Sequence, residues 1–259
     1  MSPFAPIDRW LAPAPDAARV GWLGQHSYAH RGLHGDGCVE NSPSAFAAAI
    51  ARGLGIECDV QRSRDGEAVV FHDWELDRLT GEHGAVKARD AADLSRIALS
   101  GSGDAIPTLS DLLGLVRGKV PLLVEIKSKR EVRFAPLCFA VRRALEGYRG
   151  PVAVMSFDPR AVRWFASHAP HIVRGLVVTE EGRRTLSGRL RRHLGLWQAR
   201  AEFLAYDIRD LPSRFAAAQR ERGVPLLSWT VRSAELAERA RECGAAPIAE
   251  GTGIAFHDE

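Results

Sequence analysis

Short apolar runs alternate with amphipathic stretches along almost the whole chain, a rhythm that predicts strands and helices in turn. The runs at 27–29, 55–60, 68–71, 121–126, 152–156, 172–178, 203–206 and 226–230 read as strands. The stretches at 45–52, 108–116, 134–146, 160–168, 184–201, 214–222 and 234–242 carry the helical spacing. Ser42 before Pro43 is a cap followed by a first-turn proline, and Thr108 caps the next helix. Asp65-Gly66 is a turn between the second and third strands. Eight strands precede the last helix, with Ile248-Ala249 an open ninth element. Regular strand-helix alternation predicts a parallel sheet, and this number of strands in one domain over 1–259 predicts a closed α/β barrel. A doubly wound open sheet is the alternative, disfavoured because no GxGxxG turn follows a strand.

Residues 73–107 break the rhythm. Ordinary loops between such elements run to roughly two to six residues, so this stretch predicts an insertion over the mouth, and Gly101-Ser102-Gly103-Asp104 gives it the composition of a polar, mobile lid. The first 25 residues are Pro-rich, then weakly helical, and carry no nameable chemistry.

Composition narrows the partners. The 35 Lys and Arg against 32 Asp and Glu give a formal charge of +3 without basic blocks, which disfavours nucleic acid. Cys38, Cys58, Cys138 and Cys243 never form CxxC, so a zinc cluster or redox pair is not expected and the thiols are read as reduced. The Pro-rich N-terminus with Asp8 is unlike a signal peptide, and no window approaches the ~18 apolar residues of a membrane span. A cytoplasmic protein with no stable membrane anchor is the expectation; oligomeric state is not legible.

The candidate chemistry lies at strand ends between Ala29 and Lys127. Glu57 and Asp59 share one face of their strand while Cys58 takes the other, and Glu125 and Lys127 are paired by the same alternation. Three carboxylates aimed into one mouth repel unless a cation lies between them, and an all-oxygen set suits Mg²⁺ or Ca²⁺ better than zinc or copper. The competing reading is that these acids simply pair with basic neighbours. His30 and His72 each close a strand and have the pKa range for proton transfer near neutrality. Arg31 and Lys127 suit phosphate oxygens. One divalent cation, three carboxylates, Arg31 and Lys127 sum to +1, so a monoanionic phosphate diester would neutralise the pocket. A neutral sugar would gain less from the two basic groups, which argues against a glycosidase.

These motifs resemble the glycerophosphodiester phosphodiesterases. His30-Arg31-Gly32, Glu40-Asn41 before Ala45-Phe46, Glu57-x-Asp59-Val60, Asp65-Gly66, His72-Asp73, Leu76-Asp77-Arg78-x-Thr80-Gly81, Ile106-Pro107-Thr108-Leu109 and Glu125-Ile126-Lys127 occur in that family's order. Ser156-Phe157-Asp158-Pro159 and Trp229-Thr230-Val231 extend the match towards residue 250. The resemblance implies a TIM (β/α)8 barrel with a small insertion after the third strand, at about 73–107, and hydrolysis of a glycerophosphodiester to glycerol 3-phosphate and an alcohol. It implies Glu57, Asp59 and Glu125 as ligands of one divalent cation, Mg²⁺ or Ca²⁺. It further implies His30 and His72 as acid and base, Arg31 and Lys127 as phosphate holders, and Trp229 against the glycerol carbons. Glu40 and Asn41 are expected to brace the first loop, and Asp73, Asp158, Glu180 and Asp207 to cap helices or carry surface charge. The family's Thr-Asp before Pro after the last strand is replaced by Pro247-Ile248-Ala249-Glu250-Gly251, and a role for Glu250 is not assigned. Two further readings stay open: lysophospholipase D-like action on lysophospholipids, and a non-catalytic phosphate-binding barrel.

Overall fold

The computed structural model describes residues 4–35, 37–129, 133–182 and 185–254. The chain forms two compact units, Met1–Ser27 with Ala153–Glu259, and Tyr28–Val152. Short helices α1 (Ala5–Leu11) and α2 (Ala17–Val20) come first. The second unit then runs β1 (Tyr28–Ala29), α3 (Pro43–Ala51), β2 (Gly55–Arg62), β3 (Ala68–Val70), α4 (Ala91–Leu94), α5 (Leu109–Val116), β4 (Leu122–Ile126) and α6 (Ala135–Ala144). The chain returns to the first unit with β5 (Val152–Ser156), α7 (Pro159–His168), β6 (Val173–Val178), α8 (Leu186–Ala199), β7 (Phe203–Asp207), α9 (Arg214–Glu221), β8 (Leu226–Val231), α10 (Ala234–Glu242) and β9 (Ala245–Ala249). Arg184, where the expected 184–201 helix begins, lies outside the described residues.

Within the Tyr28–Val152 unit, β1 and β4 flank β2 in parallel, with Tyr28 opposite Gly55 and Asp59 opposite Glu125. The helix starts form as the sequence predicts. Ser42 Oγ accepts from the Ala45 N–H at 3.1 Å, and Thr108 and Asp111 satisfy each other's backbone N–H groups at the start of α5.

The third expected strand needs correction. β3 pairs antiparallel with β2, Val60 facing Val70, and so is a hairpin arm. Only residues 63–67 separate the two strands, far short of the dozen or so needed for a parallel crossover. The eighth parallel strand is the element left open at 248–249, which extends over Ala245–Ala249 and lies parallel to β8.

The stretch 73–107 is less polar in its packing than its glycine turn suggests. Val69, Phe71, Leu76, Val86, Ala91, Leu94, Ile97, Leu99 and Ile106 form a buried apolar cluster with Val39 and Leu79 packed against it. Backbone bridges Thr80–Leu99 and Ala98–Ala105 frame the glycine turn. The segment therefore packs into a core shared with β3 and Phe71, and Gly101–Gly103 is the turn joining two tied arms. Leu94 is fully buried there, so Leu94→Ala is expected to cost about 2–5 kcal/mol, measurable as a lower urea midpoint.

In the other unit β5 to β9 run parallel in sequence order by register. The N-terminal α1 is tied to it through Asp8, 1% exposed. Its carboxylate meets His193 Nδ1 and Trp197 Nε1, both at 2.8 Å, and Gln219 Nε2 at 2.9 Å, so a buried acid is satisfied by α8 and α9.

Candidate active site

The site residues of the Tyr28–Val152 unit are placed by strand register. Alternation along β2 aims Glu57 and Asp59 to one side, and the pairing of Asp59 with Glu125 sets the third acid beside them. One oxygen from each of Glu57, Asp59 and Glu125 lies within 4.8 Å of the others, and all three side chains are buried.

The first loop is bent to serve them. β1 ends at Ala29, and Arg31, at φ 55°, donates its backbone N–H to Glu57 Oε2 at 3.0 Å. Gly32 follows at φ 80°, where a Cβ would come within 2.9 Å of the Ala45 methyl, so only glycine turns this corner without displacing α3. Asn41, also left-handed at φ 57°, donates to Asp59 Oδ2 at 3.0 Å and accepts from the Asp59 N–H at 3.2 Å. Glu40 holds Arg31 and Arg78, each at 2.7 Å. Both residues thus brace the loop as expected.

Two cations answer the three acids. Lys127 Nζ lies 3.3 Å from Asp59 and 3.2 Å from Glu125, and Arg31 Nε lies 3.2 Å from Asp59 Oδ2. Glu57 meets only the Arg31 N–H and His30 Nε2, the latter at 4.0 Å, and no Lys or Arg side chain among the described residues is at ion-pair distance. The sum of three negative and two positive groups is −1. Burial, then the charges of Asp59 and Glu125, push the Glu57 carboxyl well above the usual range. Burial also raises Glu125, outweighing Lys127. Asp59 goes the other way: burial opposes ionisation, but Lys127 and Arg31 hold its pKa down to about 2.

The residues fit a hard divalent cation. The donors are all carboxylate oxygens, they are held close together, and the charge of one of them, Glu57, is only partly answered by its neighbours. The pairing with basic neighbours considered from sequence is thus real for Asp59 and Glu125 and incomplete for Glu57. Arg31 Nε is buried and, although 3.2 Å from Asp59 Oδ2, makes no hydrogen bond.

His72 follows the hairpin, with Nδ1 2.7 Å from Asp73 Oδ1. The Asp73 carboxyl is held to about 2, since hydrogen bonds from Arg78 and His72 outweigh its burial. As a carboxylate it can only accept, so the proton sits on His72 Nδ1 and the Nε2 lone pair is left for chemistry. Burial lowers the His72 pKa, with Lys127 and Arg31 adding to it against Asp59, which favours the neutral ring.

Sequence reasoning missed three of these parts. Asp73, expected as a cap or surface charge, instead orients His72. Arg78 stood in the quoted motif without a role, yet it joins Asp73 to Glu40. Gln61 is the third residue on the Glu57–Asp59 face and is 3% exposed; its side chain donates to the Phe71 and Asp73 carbonyls and fixes the loop carrying His72. Period-two alternation alone points to it.

The remaining candidates lie in the other unit. Trp229 donates from Nε1 to the Ala205 carbonyl at 2.9 Å and meets the Phe157 ring edge-on at 5.3 Å. Glu250 pairs with Arg232 at 2.6 Å. Asp158 caps α7 and Asp207 caps the turn Ile208–Asp210, as expected. Glu180 does neither: it accepts from Tyr206 and Ser213 and pairs with Arg192.

The sequence profile of the Glycerophosphoryl diester phosphodiesterase family matches residues 30–250. A glycerophosphodiester phosphodiesterase of Caldanaerobacter subterraneus subsp. tengcongensis is 28% identical over 233 residues, covering 83% of this chain and 89% of that protein. Another, from Bacillus altitudinis, is 33% identical over 155 residues, covering 56% of this chain and 63% of that protein. Among solved structures, an Oleispira antarctica phosphodiesterase in complex with its product sn-glycerol-3-phosphate matches with a TM-score of 0.75 at 22% identity, over 88% of this chain and 93% of that one. A glycerophosphodiester phosphodiesterase from Thermotoga maritima matches with a TM-score of 0.67 at 22% identity, over 88% of this chain and 94% of that one. At such identities the likeness shows the fold, which is the TIM (β/α)8 barrel with an inserted segment.

Proposed function

The chain belongs to the glycerophosphoryl diester phosphodiesterase family, and on that premise we propose that it hydrolyses glycerophosphodiesters to glycerol 3-phosphate and an alcohol with the aid of one divalent cation. The observation that carries this reading is the set of three buried carboxylates within 4.8 Å, one of them, Glu57, with no Lys or Arg side chain at ion-pair distance among the described residues. The product bound by the Oleispira antarctica relative supports the substrate class.

Glu57, Asp59 and Glu125 would hold Mg²⁺ or Ca²⁺, which supplies Lewis acidity towards a phosphoryl oxygen and lowers the pKa of a hydroxyl near it. Arg31 and Lys127 hold the anionic phosphate. His72, neutral and with its lone pair on Nε2, removes the proton of the glycerol hydroxyl next to the phosphoester. That oxygen attacks phosphorus, the P–O bond to the headgroup breaks, and His30 protonates the departing alkoxide. Water opens the resulting cyclic phosphate with the histidine roles reversed.

The lysolipid alternative is the weaker reading, because most of the large apolar side chains of the insertion are buried. A binding-only barrel has no need of a histidine fixed in one tautomer by a carboxylate. Protein stripped of divalent ions with a chelator is expected to be inactive and to release glycerol 3-phosphate from glycerophosphocholine or its analogues once Mg²⁺ or Ca²⁺ is restored. Failure with every glycerophosphodiester and both cations would overturn the proposal.

A further inference from the structure

Seven large apolar side chains are strongly exposed among the described residues, and five of them lie on two adjoining helices. Leu186, Leu190 and Leu194, 80%, 44% and 49% exposed, follow one another at four-residue spacing along α8. Ile7 and Trp10, 40% and 81% exposed, share a face of α1. The two helices are held together by the Asp8 contacts to His193 and Trp197 and by Phe4 on the His193 ring, centroids 4.3 Å apart. Leu190 and Leu194 are three residues from His193 and Trp197 respectively, so the leucines border the side of α8 that α1 covers.

The two helices expose basic but no acidic side chains of their own. α8 holds no Asp or Glu, and the single acid of α1 is the buried Asp8. Arg9, Arg189 and Arg191 are exposed on the same helices. The neighbouring α7, which packs against α8, adds Arg163, while its Arg160 is paired with the capping Asp158. In a chain of 35 basic and 32 acidic residues this separation is local and marked.

We propose that α8 and α1 form a peripheral docking surface for an anionic lipid bilayer. Leucines and a tryptophan enter the boundary between headgroups and acyl chains while arginines meet the lipid phosphates, the arrangement by which amphipathic helices lie in an interface. No described helix is long and apolar enough to cross a membrane, which leaves binding along the surface. A second copy of the chain is the poorer occupant, because a two-fold contact would set Arg9, Arg189 and Arg191 against their own equivalents on helices that expose no acid.

The full chain should co-sediment with vesicles of phosphatidylcholine containing phosphatidylglycerol, much less with phosphatidylcholine alone, and less as salt rises. Leu190→Ser/Leu194→Ser should weaken that binding about tenfold or more. Arg189→Glu/Arg191→Glu should weaken it too, and should remove the salt dependence. Both pairs lie on the surface and leave turnover of a soluble glycerophosphodiester unchanged. The proposal is overturned if wild-type protein ignores vesicles containing phosphatidylglycerol, or if the leucine variant binds them as well as wild type. It is equally overturned if sedimentation equilibrium shows a wild-type dimer that the leucine variant dissociates.

Discussion

Glu57→Gln is expected to lower kcat/KM for a glycerophosphodiester by about a thousandfold or more, the scale of losing several kcal/mol of transition-state charge stabilisation. The same change should not weaken the cation-free fold. Glutamine keeps the volume and the oxygen that accepts the Arg31 N–H at 3.0 Å, and it removes a charge that burial and two neighbouring carboxylates disfavour. A carboxyl raised in the folded state binds its proton more readily there than in the unfolded chain, so its contribution to stability falls as pH rises above about 4.5. The difference in melting temperature between Glu57→Gln and wild type, both free of divalent ions, should therefore grow in the variant's favour from pH 5 upwards. Added Mg²⁺ or Ca²⁺ should reverse it by stabilising wild type alone. A variant that keeps its turnover, or that is less stable without cation, would show that Glu57 is a structural acid.

Much of this site could be read from the sequence because its main parts obey strand periodicity. Glu57 and Asp59 lie two apart on an apolar strand, Glu125 and Lys127 repeat the pattern, and the structure brings all four together as alternation requires. What alternation cannot supply is the direction of a strand. β3 looks as apolar as its neighbours, and only the shortness of the 63–67 connection shows that it must turn back. Nor does composition show what a loop packs against. Gly101-Ser102-Gly103-Asp104 is a polar turn, yet the residues before it bury Leu94, Ile97 and Leu99 in the core shared with β3 and Phe71. The same limit applies to Asp73 and Arg78. Their contact to each other and to His72 and Glu40 is set by how the loop after β3 closes, and an acid after a strand looks the same in sequence whether it caps a helix or orients an imidazole.

His72→Gln is expected to reduce kcat by about 10²–10⁴-fold, the range for removing a positioned acid or base, with little change in KM. The pH profile then separates His72 from the carboxylate behind it. A base must be unprotonated to act, so wild-type kcat/KM should rise with pH along a limb whose midpoint lies below 6.5, because burial and the nearby Lys127 and Arg31 disfavour the imidazolium. Asp73 works against those effects, its hydrogen bond favouring the charged ring. Asp73→Asn should therefore move the limb to still lower pH while kcat falls by about 10–100-fold, as is typical when the orienting partner of an active-site imidazole is lost. A merely structural role for Asp73 would lower expression or melting temperature and leave the limb in place. The split matters because Asp73 is also the acceptor for Arg78, which grips Glu40 and through it Arg31. If Arg78→Gln lowers kcat without moving the limb, the network positions the phosphate; if it moves the limb as Asp73→Asn does, Arg78 acts on the base through the carboxylate they share.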